Sequence, residues 1–377
     1  MKLSQLETPC LVLDEAKLER NVARMRAHLD ALGVNLRPHV KTAKSIDVAR
    51  RVLRPSEACI TVSTLKEAEY FLAHGMDDIL YAVGVTPNKL DHIADLRSRG
   101  ARLALILDNL DAARAVAVHA RAGADRIPVM IEIDCDGHRA GILPGDPALV
   151  EVGRALVNGG CELRGVMTHA GASYNCDSVA AIKTMALQER DAVVAAANAL
   201  RAAGLPCPVV SLGSTPTATY AEDLSGVTEV RAGVFVFFDL VMAGLQVCAV
   251  DDIAISVLAS VIGHQRDKGW IIVDAGWMAM SRDRGTAKQT IDQGYGLVCD
   301  AIGRPYADLI LADANQEHGI VALRPGARAA LPELPIGAQL RILPNHACAT
   351  GAQHQAYQVV RGEADNVNTT WPRISGW

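Results

Sequence analysis

The sequence predicts an α/β chain: a parallel (β/α)8 TIM-like barrel followed by a β-rich C-terminal domain. Three observations carry this. Eight short apolar runs, each followed by a helix-like stretch until the last, fill roughly the first 240 residues. No Gly-x-Gly-x-x-Gly turn follows the first run, which disfavours the rival doubly wound open sheet. After about residue 245 helical periodicity fades, and strand-like runs separated by turns take over. The expected division is 10–243 for the barrel and 244–377, with 1–9, for the second domain.

Taken in order, the barrel strands read as NLRPHV, ITV (60–62), DILYAV, ARLALIL, IPVMIEI, LRGVMTH, PVVSLG and VTEVRAGVFVF. Between them SIDVARRVL, STLKEAEYFLAHG, NKLDHIADLRSRG, LDAARAVAVHARAG and ALVEVGRALVNGG read as helices. The longest helix, SVAAIKTMALQERDAVVAAANALRAAG, stops at Gly204 as a helix C-terminus should. In the second part DIAISVLASVIGH, GWIIVDAGW, LRILPNHAC and AYQVVRGE read as strands.

Composition narrows the function. Half of the 377 residues are apolar and only 4% aromatic, so a sizeable core is expected from Ala, Val, Leu and Ile. The formal charge of −5 is spread along the chain, without the basic stripe that nucleic acid requires. No stretch approaches the roughly 20 apolar residues of a membrane span, and MKLSQLETPCLVLD lacks a secretory pattern. Nine cysteines without a CxxC pair argue against a disulfide framework, so a cytoplasmic setting is expected.

In a (β/α)8 barrel the active site lies at the C-terminal ends of the strands. The first strand ends in RPHVKTAK. Lys41 there is either part of a basic surface turn or a buried amine at a strand end, with Lys44 a solvated lysine at a helix start. The fifth strand ends in DCDGHRAG, offering Asp134, Asp136, His138 and Arg139; the sixth ends at His169 with Gly171 behind it. The seventh ends in SLGSTPT, where Gly213, Ser214 and Thr215 offer a hydroxyl and free backbone N–H groups, and Gly233 after the eighth permits close backbone approach. Phosphate sites in this fold use the loops after strands seven and eight. A reactive lysine facing a phosphate cradle suggests pyridoxal 5'-phosphate. His169 either stacks on its ring or is a satisfied core histidine. Arg231 either faces the pyridine nitrogen, leaving it unprotonated, or makes a surface salt bridge to Glu229. Arg139 either meets the phenolic oxygen or pairs with Asp134 or Asp136.

PNHACAT forms a second constellation. His346 and Cys348 share a face of an extended segment, and imidazole plus thiolate suits a divalent metal, zinc above all. Two ligands leave positions open for water or substrate. In NQEHG, Glu317 and His318 are either a supporting shell or merely a turn.

Together TPCLVLD, RPHVKTAK, IEIDCDGHRAG, THAGASY, SLGSTPT, EVRAGVFVFFD, VDAGWMAMSRDRG, ANQEHG and LPNHACATG, in order over nearly the whole chain, resemble the metal-activated D-amino-acid lyases of the alanine racemase-type (fold type III) pyridoxal phosphate enzymes. The resemblance implies that Lys41 carries the cofactor aldehyde and that His346 and Cys348 hold zinc, manganese or magnesium. It places His169 against the ring and Thr215 and Gly233 at the phosphate. It implies a homodimer acting on a small D-amino acid. The family's aldolases carry histidine and aspartate in the metal motif, so Cys348 favours dehydration of a 3-hydroxy D-amino acid such as D-threo-3-hydroxyaspartate or D-serine; retro-aldol cleavage of D-threonine is the alternative. Two readings from other classes are a pyridoxal-binding homeostasis protein, which lacks the second domain, and a colourless sugar-phosphate barrel enzyme.

Overall fold

A strand buried on both faces of a parallel sheet reads as an unbroken apolar run, and the first part of the chain folds accordingly. A computed structural model describes residues 1–362 and 365–377. Eight strands follow one another: β1 (Asn35–Pro38), β2 (Cys59–Val62), β3 (Asp78–Gly84), β4 (Arg102–Leu107), β5 (Pro128–Ile133), β6 (Glu162–Thr168), β7 (Val209–Leu212) and β8 (Glu229–Ala232). From β2 to β8 each pairs in parallel with the next, and β8 returns to β1. The ring closes just beyond β1: His39 bridges Thr61, and Val40 N–H donates to the Thr61 carbonyl at 2.9 Å. Every residue of β5 is buried, and Leu80, Ala104, Ile106, Met130 and Met167 form one apolar cluster across β3 to β6.

The helices read from the sequence form at Ile46–Val52, Leu65–Ala73, Leu90–Ser98, Leu110–Gly123, Ala148–Asn158 and Val179–Ala202. Thr64, Asn109 and Ser178 start three of them, each side chain accepting a backbone N–H of the first turn.

The chain divides into two compact units, Arg24–Gly233 with Gly376–Trp377 and Met1–Ala23 with Val234–Ser375. Residues 10–23 and 234–243 thus fall in the β-rich unit, whereas the sequence reading groups them with the barrel. Pairing explains the first of these. Cys10–Asp14 pairs antiparallel with Ile255–Gln265 and parallel with Ala356–Val360.

In the β-rich unit Trp270–Val273, Gly319–Leu323, Pro305–Ala314, Gly296–Cys299, Gln339–Pro344 and Ile255–Gln265 lie side by side, all antiparallel. Ile255–Gln265 pairs back to Trp270–Val273 and closes a β-barrel. Cys10–Asp14, Ala356–Val360 and Thr369–Pro372 extend the sheet from Ile255–Gln265. None of the nine cysteines forms a disulfide. Among the described residues no helix is long and apolar enough to cross a membrane.

Candidate cofactor and metal sites

In the barrel unit Lys41 sits on the segment that closes the ring. It is exposed rather than a buried amine. β1 ends at Pro38, and the backbone of His39 and Val40 is used up in closure, which leaves the next side chain at the surface. Lys44, read as solvated, is instead paired: its Nζ lies 3.0 Å from Glu67 Oε1, on a fully buried carboxylate that also accepts Ser63 N–H at 2.8 Å.

His169 is fixed by donating Nδ1–H to the Gly213 carbonyl at 2.9 Å. Burial, joined by the charges of Lys41 and Arg231, pushes its pKa down to about 3. The ring is therefore a neutral imidazole with one defined tautomer. His39, which the sequence reading passes over as a site residue, has a buried Nδ1 without a partner. Burial, then Lys41, Arg231 and His169, hold its pKa well below the usual value. These four side chains thus share one electrostatic neighbourhood.

Arg231 is buried and makes no surface salt bridge to Glu229. Its Nε donates to Ser211 Oγ at 2.8 Å and its Nη2 to the Thr168 carbonyl. Glu229 is taken by Ser211 Oγ and by Arg37 Nε, both at 2.8 Å, and Arg37 also reaches Asp78 at 2.9 Å. Burial lowers the Arg231 pKa, but a guanidinium stays charged in proteins. Arg139 keeps 61% of its side chain exposed and lies 3.4 Å from Glu132, not from Asp134 or Asp136. Those two acids are committed to folding the loop. Asp134 accepts N–H groups of Asp136 and Gly137; Asp136 accepts those of His138 and Ala172.

The Gly213–Thr215 turn is less free than its sequence suggests. Ser214 caps the helix Thr215–Tyr220; its Oγ accepts Thr217 N–H, and its own N–H donates to Thr217 Oγ1. The Gly213 N–H goes to Glu189. Thr215 is what remains: its Oγ1 is buried with no partner, and its N–H opens the helix, where no intrahelical acceptor exists. Gly213 has φ +140°, and a Cβ there would lie 2.1 Å from the Arg231 carbonyl. A Cβ on Gly233 would lie 2.9 Å from the His39 carbonyl, so this glycine lets the Lys41 segment approach β8. An accessible amine, a neutral imidazole, a buried cation and an unpartnered buried hydroxyl fit the aldehyde, ring, pyridine nitrogen and phosphate of pyridoxal phosphate.

In the β-rich unit Gln339–Pro344 delivers His346 to the start of the short helix Ala347–Gly351, which carries Cys348. His346 Nδ1 lies 2.7 Å from Asp283 Oδ2. Burial alone would lower the His346 pKa. The hydrogen bonds to Asp283 and Cys348, with the nearby charges of Cys348 and Asp239, raise it to about 11. The Asp283 carboxyl is held low by the same bond. Buried Asp239 accepts Ala347 N–H at 2.9 Å and Met242 N–H at 3.0 Å, seating the helix start. Asn345 donates to the Asp283 and Gly294 carbonyls at 3.1 and 2.7 Å. Imidazole and thiol beside one another, with a carboxylate behind the imidazole, suit a divalent metal, which would displace the histidine's proton. Among the described residues no group of three or more His, Cys, Asp or Glu could hold a metal, so these two side chains are the candidate donors. Glu317 and His318 lie in an exposed turn, where Asn315 N–H donates to the His318 carbonyl at 2.8 Å. Asp283 is the residue that sequence reasoning misses here; its motif was visible, but its pairing across 63 positions was not.

Residues 13–241 match the family model "Alanine racemase, N-terminal domain", and residues 254–360 match "Putative serine dehydratase domain". The chain is similar to the D-threo-3-hydroxyaspartate dehydratase of Delftia sp. strain HT23, 57% identical over 378 residues, covering 100% of this chain and 99% of that one. It is 33% identical over 373 residues to the D-threonine aldolase of Arthrobacter sp., covering 95% and 90%. The solved structure of the Delftia dehydratase matches with a TM-score of 0.96 at 56% identity, covering all of both chains. A dehydratase of that name has also been solved as a histidine-to-alanine mutant, and as a cysteine-to-alanine mutant in the metal-free form. The two mutated positions are two residues apart, the spacing of His346 and Cys348.

Proposed function

This chain belongs to the alanine racemase-type, fold type III family, and on that premise we propose that it is a pyridoxal-phosphate- and divalent-metal-dependent lyase that dehydrates a 3-hydroxy D-amino acid, D-threo-3-hydroxyaspartate by preference. The observation that carries this is the His346–Cys348 pair with Asp283 behind the histidine, in a chain 57% identical over its whole length to such a dehydratase. In this reading the barrel unit, Arg24–Gly233, serves the cofactor and the β-rich unit serves the metal.

Lys41 would hold the cofactor by its aldehyde, and its Nζ is the base that would take the Cα proton. His169, neutral at working pH, faces the ring without adding charge. Arg231, restrained through Ser211, would face the pyridine nitrogen and favour its unprotonated form, and Arg139 would serve the phenolic oxygen. Thr215, with Ser214, Gly213 and Gly233 shaping the turn, receives the phosphate. When bound, the cofactor supplies an electron sink, and zinc, manganese or magnesium on His346 and Cys348 supplies Lewis acidity toward the C3 hydroxyl. Loss of water and then hydrolysis converts 3-hydroxyaspartate to oxaloacetate and ammonia. A homodimer, as the family resemblance implies, and a cytoplasmic setting, as the cysteine usage suggests, are part of this reading.

D-Threonine-aldolase-type cleavage to glycine and an aldehyde is the alternative, favoured by the 33% identity to such an enzyme; D-serine is the alternative dehydration substrate. The test is a product assay on the purified protein with added divalent metal, offering D-threo-3-hydroxyaspartate, D-serine and D-threonine separately. Ammonia with a 2-oxo acid is expected, fastest from 3-hydroxyaspartate. Glycine with an aldehyde would make it an aldolase.

A further inference from the structure

The helix Val179–Ala202 turns an apolar face inward through Ile182, Ala186, Val193, Ala196, Ala197 and Leu200. Glu189 lies on that same face and is fully buried. A buried carboxyl is costly unless its oxygens are used. Here both are. Oε1 accepts Ala170 N–H at 2.8 Å and Gly213 N–H at 3.1 Å; Oε2 accepts the Thr217 hydroxyl at 2.6 Å. Ala170 follows His169 directly, and the carbonyl of Gly213 is the one that fixes His169 Nδ1. Thr217 Oγ1 in turn receives the N–H of Ser214, the cap that precedes Thr215. One side chain therefore ties the loop after β6 to the loop after β7.

We propose that Glu189 is a positioning residue that locks the ring-facing His169 and the Ser214–Thr215 turn into one piece. The inference rests on the cofactor reading above. It gives Glu189 a role that helix packing alone does not require, since a leucine would continue the apolar face. Removing the carboxylate frees Gly213 and Ser214 to move relative to His169. The phosphate end of the cofactor should feel this more than the aldehyde end, which Lys41 holds from the segment after β1.

The test uses the full chain stripped of cofactor and titrated with pyridoxal 5'-phosphate and, separately, with pyridoxal, which lacks the phosphate. Visible absorbance reports binding. Glu189→Gln removes one of the two acceptor oxygens; Thr217→Val, which removes the Oε2 contact together with the Thr217 Oγ1 contacts to Ser214 but leaves both Oε1 bonds, is the second variant should the first fail to fold. The wild type should prefer the phosphorylated form. Either variant should lose about tenfold or more of that preference, corresponding to about 1.4 kcal/mol, with pyridoxal affinity changed by less than about threefold. A variant that keeps the full preference, or that loses both ligands equally alongside a lower thermal midpoint, overturns the inference and leaves Glu189 a packing residue. A wild type that binds neither ligand instead overturns the cofactor reading itself.

Discussion

In the barrel unit the candidate residues arrive from five strands, β1, β5, β6, β7 and β8, and are held by carbonyls and buried polar side chains such as Ser211 and Glu189. In the β-rich unit the candidate ligands sit two residues apart at one helix start, and one carboxylate, Asp283, orients the histidine. A site of the first kind depends on many packed neighbours. A site of the second kind depends on one or two partners and is separable from the rest of its unit.

The largest effect that can break this contrast comes from Lys41. Lys41→Ala should abolish the visible absorbance of bound cofactor and cost about 10³-fold or more in turnover, while metal content by elemental analysis stays at the wild-type level. Loss of metal in that variant would show that the two sites are not separable. The mirror experiment is next. His346→Ala or Cys348→Ala should empty the metal site and lower turnover by at least about 100-fold, with the cofactor spectrum unchanged. Asp283→Asn sharpens the contrast further: the imidazole loses its orienting charge, and metal affinity measured by competition with a chelator should fall about 10–100-fold. An unchanged affinity would reduce Asp283 to a loop residue.

The smallest effect calibrates the others against an ordinary ion pair. Arg97 grips Asp125 at 2.5 and 2.7 Å and holds its carboxyl below the usual range. A depressed carboxylate adds stability above its unfolded pKa, near 4, and loses it as pH falls through the folded value. Asp125→Asn should therefore lower stability at pH 6 by roughly 0.5 kcal/mol or less after solvent screening, and by still less in acid, as read from denaturant midpoints. The same cost at both pH values would contradict the ion-pair assignment.

The contrast also explains what the sequence reveals. Strand ends of a parallel barrel are legible because apolar runs mark the strands, so Lys41, His169, Thr215 and Gly233 can be picked out by position alone. Their surroundings are not. Nothing local says that Lys41 is exposed, that Lys44 is paired with Glu67, or that Arg231 turns to Ser211 rather than Glu229, because each depends on which strands become neighbours. Glu189 is hidden for a related reason: a lone glutamate in a helical pattern reads as a solvated side chain. In the β-rich unit Pro305–Ala314 escapes periodicity because Asp308 has φ +56° and the pairing shifts between Leu311 and Asp313. His346 and Cys348 are weak as a bare spacing and gain meaning only from the resemblance and from Asp283.

The central claim is that elimination needs the metal pair as well as the lysine-bound cofactor. It is tested most directly by ammonia release from D-threo-3-hydroxyaspartate, measured on wild-type protein before chelation, after it, and after metal is returned. The account predicts a loss of about 100-fold or more on chelation, an unchanged cofactor spectrum throughout, and recovery with zinc, manganese or magnesium. Undiminished ammonia release from the metal-free protein would contradict it.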